Sequence, residues 1–221
     1  MIYHETEHGI LHCGDCLDIL PTLADKSVDL VLTDPPYGIG IDGQRESINV
    51  NPKHNRKQHE FMGWDNSIPH PDTFSNMMRI SYNQIIWGAN YFISVLSDGH
   101  KGWVVWDKGQ RGLTMSDCEL AYTSFDKPTR IVTANRMQIQ IDGAVHPTQK
   151  PVFLFEWCLH NYSESGNLIL DPFAGSGTTA IACIRLNRKY ILIEKEEKYC
   201  EIAARRIDAE LDQTDLFREA P

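Results

Sequence analysis

Apolar positions along this chain of 221 residues fall into two alternating patterns. Short runs such as Val28-Asp29-Leu30-Val31-Leu32, Leu168-Ile169-Leu170 and Tyr190-Ile191-Leu192-Ile193 are nearly continuous rather than alternating. That pattern marks strands covered on both faces, as in a mostly parallel sheet flanked by helices. The runs predict strands at Gly9–Cys13, Val28–Thr33, Gln84–Gly88, Gly102–Trp106, Glu119–Phe125, Asn167–Leu170 and Lys189–Ile193. Residues Arg130–Arg136 predict a further strand, paired as a hairpin with Glu119–Phe125. Helical spacing marks Cys16–Leu23, Pro71–Tyr82, Asn90–Leu96, Val152–Tyr162, Thr178–Leu186 and Glu196–Leu211. The expected architecture is one α/β domain over residues 1–221, a Rossmann-like seven-stranded sheet with helices on both faces. Only residues 38–70 break the rhythm: they are poor in apolar side chains and hold Arg45, Lys53, Arg56 and Lys57. The plain reading of such a stretch is a solvated surface loop.

Composition narrows the class. At 42% hydrophobic and 23% charged residues the chain is that of a globular protein. No apolar run approaches the roughly 20 residues of a membrane span. Met1-Ile2-Tyr3-His4-Glu5 has neither the basic start nor the apolar stretch of a secretory leader, so the expected compartment is the cytoplasm. The six cysteines fit reduced thiols; Cys13 and Cys16 form a Cys-x-x-Cys, but no second ligand pair accompanies them and no metal is expected. A formal charge of −9 argues mildly against a nucleic-acid partner, although basic residues gathered on one face can outweigh the total.

Two loops carry the chemistry. In Leu168-Ile169-Leu170-Asp171-Pro172-Phe173-Ala174-Gly175-Ser176-Gly177-Thr178-Thr179-Ala180 a buried strand runs into a glycine-rich turn and then a helix. Gly175 and Gly177 admit close approach of a ligand to the backbone, and the helix start offers N–H groups with partial positive charge. Gly175, Gly177 and Ala180 fit the small positions of the dinucleotide fingerprint, and Glu194 stands 17 residues past Gly177, where a ribose-binding acid belongs. In Leu32-Thr33-Asp34-Pro35-Pro36-Tyr37 a second buried strand ends in an acid, two prolines and an aromatic ring. The prolines stiffen the backbone and remove two donors, leaving carbonyls that face outward. Asp34 and the Pro35 carbonyl can each accept an N–H of an amino group, and Tyr37 can stack on a base. Those are the needs of an exocyclic amino nitrogen, whose lone pair must leave conjugation before it can attack a methyl donor. A target inside a duplex would first have to be flipped out.

In these motifs the chain resembles the DNA amino-methyltransferases of the permuted beta arrangement, in which the catalytic motif precedes the cofactor motif. Asp34-Pro35-Pro36-Tyr37 is similar to that family's catalytic tetrapeptide. Asp171-Pro172-Phe173-Ala174-Gly175-Ser176-Gly177-Thr178-Thr179 is similar to its cofactor loop, and His146-Pro147-Thr148-Gln149-Lys150-Pro151 to the motif just upstream. The resemblance implies S-adenosylmethionine as cofactor, double-stranded DNA as partner, membership of a restriction–modification type of system, and one antiparallel strand in the sheet. Asp34, Pro35, Pro36 and Tyr37 become the candidate catalytic residues. Asp171, Phe173, Gly175, Ser176, Gly177, Thr178 and Glu194 become the candidate cofactor contacts. Gly14-Asp15-Cys16-Leu17 resembles the segment that binds the cofactor's adenine, so Asp15 and Cys16 join them, Asp15 as acceptor of the adenine amino group. Lys150 is implied near the methionine carboxylate.

The family's sizeable target-recognition region has little room here. Arg45, Lys53, Arg56 and Lys57 are the expected DNA contacts, with Asp107–Ser116 and Asp126–Ala144 as weaker candidates. Residues 41–62 are expected to be mobile and to close over the target, and a second subunit could complete recognition. Cytosine-directed relatives more often carry Ser in place of Asp34, so adenine N6 is favoured over cytosine N4, with RNA a weaker alternative. A nicotinamide oxidoreductase built on the glycine fingerprint would leave Asp34-Pro35-Pro36-Tyr37 unexplained, with only 27 residues after Glu194 for its second half. A non-enzymatic DNA-binding descendant would be expected to have lost Asp34 or Tyr37.

Overall fold

The structure, a computed structural model, describes residues 1–40, 65–96, 101–112, 116–134 and 150–218, with side chains to 214. Arg45, Lys53, Arg56 and Lys57, the proposed closing segment 41–62, and His146 to Gln149 lie outside the described residues. Among the described residues nine strands build one sheet: β1 (Ile2–Thr6), β2 (Gly9–Cys13), β3 (Val28–Thr33), β4 (Ser81–Trp87), β5 (Trp103–Asp107), β6 (Cys118–Thr123), β7 (Arg130–Thr133), β8 (Leu168–Asp171) and β9 (Lys189–Glu194). Their spatial order is β1-β2-β9-β8-β3-β4-β6-β5-β7. Strands β2, β9, β8, β3 and β4 run parallel, and β6 lies antiparallel to both β4 and β5. The seven expected strands thus contain the one antiparallel member, and the sheet gains one strand at each edge.

Both edge strands differ from expectation. β1 pairs antiparallel with β2 and is half-exposed, so it lacks the apolar run by which covered strands announce themselves. β7 does not form a hairpin with β6; it runs parallel to β5, with Val104 opposite Arg130 and Asp107 opposite Thr133. The expected helix at Asn90–Leu96 is a short 3₁₀ turn, Ala89–Tyr91, and the one at Cys16–Leu23 splits into α1 (Cys16–Ile19) and a 3₁₀ turn, Leu20–Thr22. Pro21 explains the split, because it supplies no N–H for the next α-helical bond.

The remaining helices are α2 (Pro71–Ile80), α3 (Val152–Tyr162), α4 (Thr178–Arg185) and α5 (Glu197–Arg218). α2 shows how local chemistry sets an element. Pro71 opens it, the His70 ring accepts the Asp72 N–H, and Phe74, Met77 and Ile80 recur on one buried stripe. Its end is fixed by Ser81, whose hydroxyl donates to the Met77 carbonyl at 2.6 Å. The sheet is packed on both sides. Leu30, Leu32, Ile85, Trp87 and Leu192 meet α3, α4 and α5, while Val31, Ile86, Leu170 and Ile193 meet α1 and α2. Burying a side chain of this size contributes about 1.5–3 kcal/mol, so the central strands are the best-anchored part of the molecule. No helix among the described residues is long and apolar enough to cross a membrane.

The chain leaves β8 through α4 to β9 on one side, and leaves β3 through α2 to β4 on the other. The junction of β8 and β3 is therefore the topological switch point, where open α/β sheets hold their ligands at the carboxyl ends of the strands. Both sequence motifs emerge there.

Candidate active site

The glycine-rich loop begins at Asp171, the last residue of β8. Its buried carboxylate accepts from Thr33 at 2.7 Å, from the Thr179 hydroxyl, and from the Phe173 N–H at 3.0 Å. Burial pushes this acid up to about 6, against the pull of those donors. Asp171 therefore ties the end of β3, the end of β8 and the start of α4 into one unit. These bonds pin the two motifs together at Asp171.

Beyond it, Gly175 takes φ +52, with open space where a Cβ would point. Its N–H donates to Glu194 at 2.8 Å, and the other Glu194 oxygen accepts the Glu196 N–H at 2.8 Å. Burial raises the Glu194 carboxyl to about 7, partly offset by these N–H groups. A Cβ at Gly177 would come within 3.0 Å of the Ala203 methyl of α5, so the loop lies close on that helix. Ser176 is buried against Arg206, which donates to its carbonyl at 2.6 Å and its hydroxyl at 2.9 Å. Phe173 is half-buried, and α4 starts at Thr178 without a side-chain cap. A capless helix start is suited to receive a carboxylate.

Asp15 is brought to the same edge. Cys13 and Glu194 are register partners in β2 and β9, and the Gly14 N–H donates to the Glu194 carbonyl at 2.9 Å. Asp15 caps α1 by accepting from the Leu17 N–H at 3.0 Å, and pairs with Lys195 at 3.0 Å. The Leu17 N–H first, and then Lys195, hold its carboxyl below the usual range. Cys16 is buried, and burial pushes its thiol up to about 11, so it stays protonated. All six cysteines are free thiols.

Across Asp171 lies the second motif. Asp34 follows β3, Pro35 is buried, and Tyr37 stacks on Tyr91 with centroids 4.8 Å apart and planes 15° from parallel. Gly88, just after β4, seats that ring: a Cβ there would overlap it. The Tyr37 hydroxyl donates to Asp34 Oδ1 at 2.6 Å.

Lys150 joins this second motif. Its buried ammonium reaches Asp34 Oδ2 at 2.6 Å, Tyr37 Oη at 2.9 Å and Glu119 Oε2 at 2.9 Å. These three bonds commit it to the Asp34 motif. Burial alone would lower the Lys150 pKa; the charges of Asp34 and Glu119 outweigh it and raise it well above the ordinary range. Burial raises Asp34, with Lys150 opposing. Glu119 goes the other way: burial opposes ionisation, but Lys150 and Lys108 together hold it at about 2. Lys108 closes the chain of charges at 2.5 Å from Glu119 Oε1.

In the sequence Glu119 has no more than a place at the start of a strand, and Lys108 only a place within the weaker DNA-contact candidate Asp107–Ser116. The available signal was a charged residue inside the apolar run of β6, opposite Trp106 in β5. Buried charges in such a strand need a partner.

The family model N6_N4_Mtase, described as DNA methylase, matches residues 86–205. The chain is 29% identical to the Type II methyltransferase M.HpaI of Haemophilus parainfluenzae, over 95% of this chain and 77% of that protein. Its fold is shared by the M1.HpyAVI–SAM complex, at 20% identity and TM-score 0.59, covering 90% of this chain and 98% of that one. It is shared too by the cytosine-N4-specific PvuII DNA methyltransferase, at 18% identity and TM-score 0.59, covering 90% and 86%. At those identities the structural likeness is one of fold.

Proposed function

The chain belongs to the N6/N4 DNA methylase family and is a DNA methyltransferase that uses S-adenosylmethionine; we propose that the atom it methylates is the exocyclic N6 of an adenine flipped out of duplex DNA. The observation that carries this reading is Asp34: a carboxylate at the carboxyl end of β3, bonded to Tyr37 at 2.6 Å and joined through Thr33 and Asp171 to the glycine-rich loop.

The residues of that loop fit the cofactor. The open side of Gly175 leaves room for a ligand against the backbone. Glu194 presents carboxylate lone pairs for ribose hydroxyls, Asp15 stands beside it for the adenine, and the capless start of α4 suits the methionine carboxylate. Bound there, S-adenosylmethionine supplies an electrophilic methyl group on a sulfonium.

The chain's own groups prepare the nucleophile. Asp34 and the Pro35 carbonyl accept the two N–H bonds of the amino group and draw its lone pair out of the ring. The Asp34 charge then stabilises the positive charge that develops on nitrogen. Tyr37 offers a stacking surface worth about 1–3 kcal/mol per base. With the two hydrogen bonds this offsets a flipping cost of a few kcal/mol. We place the reaction in the cytoplasm, in keeping with six free thiols, and read the working unit as borrowing recognition surface from a second copy.

The test is transfer of labelled methyl from S-adenosylmethionine to unmethylated duplex DNA, followed by nucleoside analysis and a count of chains bound per site. N6-methyladenine is expected, and Asp34→Ala should lose at least about a hundredfold in turnover while binding cofactor normally. Methylcytosine would replace the base assignment; near-normal turnover of the Asp34 variant would overturn the mechanism.

A further inference from the structure

Both oxygens of the proposed catalytic acid are already engaged. Asp34 Oδ1 takes the Tyr37 hydroxyl at 2.6 Å, and Oδ2 takes the Lys150 ammonium at 2.6 Å. A target amino group needs an acceptor there, and the cation forming on its nitrogen would be repelled by an ammonium at that distance. The two donors that cover Asp34 share a second acceptor. Glu119 Oε2 lies 2.9 Å from Lys150 Nζ and 3.4 Å from Tyr37 Oη. Its other oxygen is anchored by Lys108 at 2.5 Å, on the neighbouring strand pair β5–β6. Lysine has three donors and turns about a flexible stem, so it can shift its weight between the two acids without moving the backbone. The tyrosine hydroxyl has a single proton and must choose one acceptor.

We propose that Glu119 is a positioning residue for methyl transfer: it receives Lys150 and the Tyr37 hydroxyl when Asp34 turns its oxygens to the target amino group. The handover rests on the reading of Asp34 as acceptor given above. In it no bond forms or breaks beyond hydrogen bonds, and the local charge stays balanced: Asp34 and Glu119 against Lys150 and Lys108. Without the Glu119 charge, Lys150 would have Asp34 as its sole anionic partner in this cluster and would stay on it.

The groups that set the ionisation of Asp34 are Lys150, Glu119 and Tyr37 in direct reach, Lys108 through Glu119, and Asp171 behind Thr33. Glu119 raises the Asp34 pKa and Lys150 lowers it. Glu119→Gln therefore moves the acid limb of the kcat–pH profile to lower pH. It should also cut kcat by about tenfold, with KM for DNA and cofactor affinity unchanged. Glu119→Asp, which keeps the charge on a shorter stem, should leave the limb in place. Lys108→Met, at a half-buried site, removes the opposing charge and should move the limb to higher pH; it carries the test if the Gln variant does not fold. A purely structural role would lower stability or yield of active enzyme without moving the limb in opposite directions.

An unmoved limb in whichever of the Gln and Met variants fold, or wild-type kcat in Glu119→Gln, would overturn the handover. Asp34→Asn run alongside separates the two ideas. Lost turnover there with an unmoved limb in the Glu119 variant sinks the handover alone; retained turnover sinks the acceptor role and the handover with it.

Discussion

Glu194 is held by two backbone N–H groups, at 2.8 Å each, and by burial that lifts its carboxyl from 4.5 to about 7. A raised pKa means that between 4.5 and about 7 the folded chain keeps a proton the unfolded chain has lost. This group's contribution to stability therefore falls as pH rises through that window. Ribose hydroxyls donating into the carboxylate would favour its charged form and release the proton. Cofactor affinity should accordingly rise with pH up to about 7 and level off above it. Titration calorimetry of the methyl donor between pH 6 and pH 8 reads this directly, and Glu194→Gln should flatten the curve. An equally steep curve in that variant would move the titrating group elsewhere. Glu194 was legible from spacing, because a strand of known length carries the acid a fixed distance from the loop. Lys150 was legible as a residue but not in its bonds: which acid an ammonium meets depends on β6, remote in sequence. Glu119 could be found only once β5 and β6 were paired.

At the scale of elements, burial decides what a sequence discloses. The continuous apolar runs of β3, β8 and β9 are covered on both faces and announce themselves. β1 and β7 lie at the sheet's edges with one side in solvent, and Ile131 of β7 is 67% exposed. Their direction and partner are fixed by tertiary packing that periodicity cannot see. The turn from β4 to its 3₁₀ segment is a sharper case. Gly88, at φ +70, brings backbone against the Tyr37 ring, and Tyr91 from the same turn stacks on it. Gly88→Ala should push the ring from its seat and lower kcat by about tenfold or more, with cofactor binding intact. A left-handed alanine adds about 1–2 kcal/mol of strain. Stopped-flow turnover with parallel cofactor titration checks this; normal turnover would mean the Tyr37 seat is not needed.

For the whole molecule, a net charge of −9 must be reconciled with a polyanionic substrate. The proposed contacts Arg45, Lys53, Arg56 and Lys57 concentrate positive charge between the first motif and α2. Replacing them together by alanine should weaken DNA binding and flatten the dependence of log affinity on log salt. The slope should change by about 0.9 for each residue that meets a phosphate. Cofactor affinity should be unaffected, and an unchanged slope would assign the phosphate contacts to another face.

The pairing of β3 with β8, Leu30 beside Ile169, also dictates a timetable. Strands far apart in sequence meet at the centre of the sheet, and β2 waits for β9 in the same way. Synthesis delivers Asp34 well before its neighbours Lys150 and Asp171 leave the ribosome. Such non-local closure is intrinsically slow. A nascent chain that has reached Tyr37 but not Asp171 therefore carries the proposed catalytic tetrapeptide without the neighbours that orient it, so methyl transfer must wait until β8 and β9 have closed the sheet.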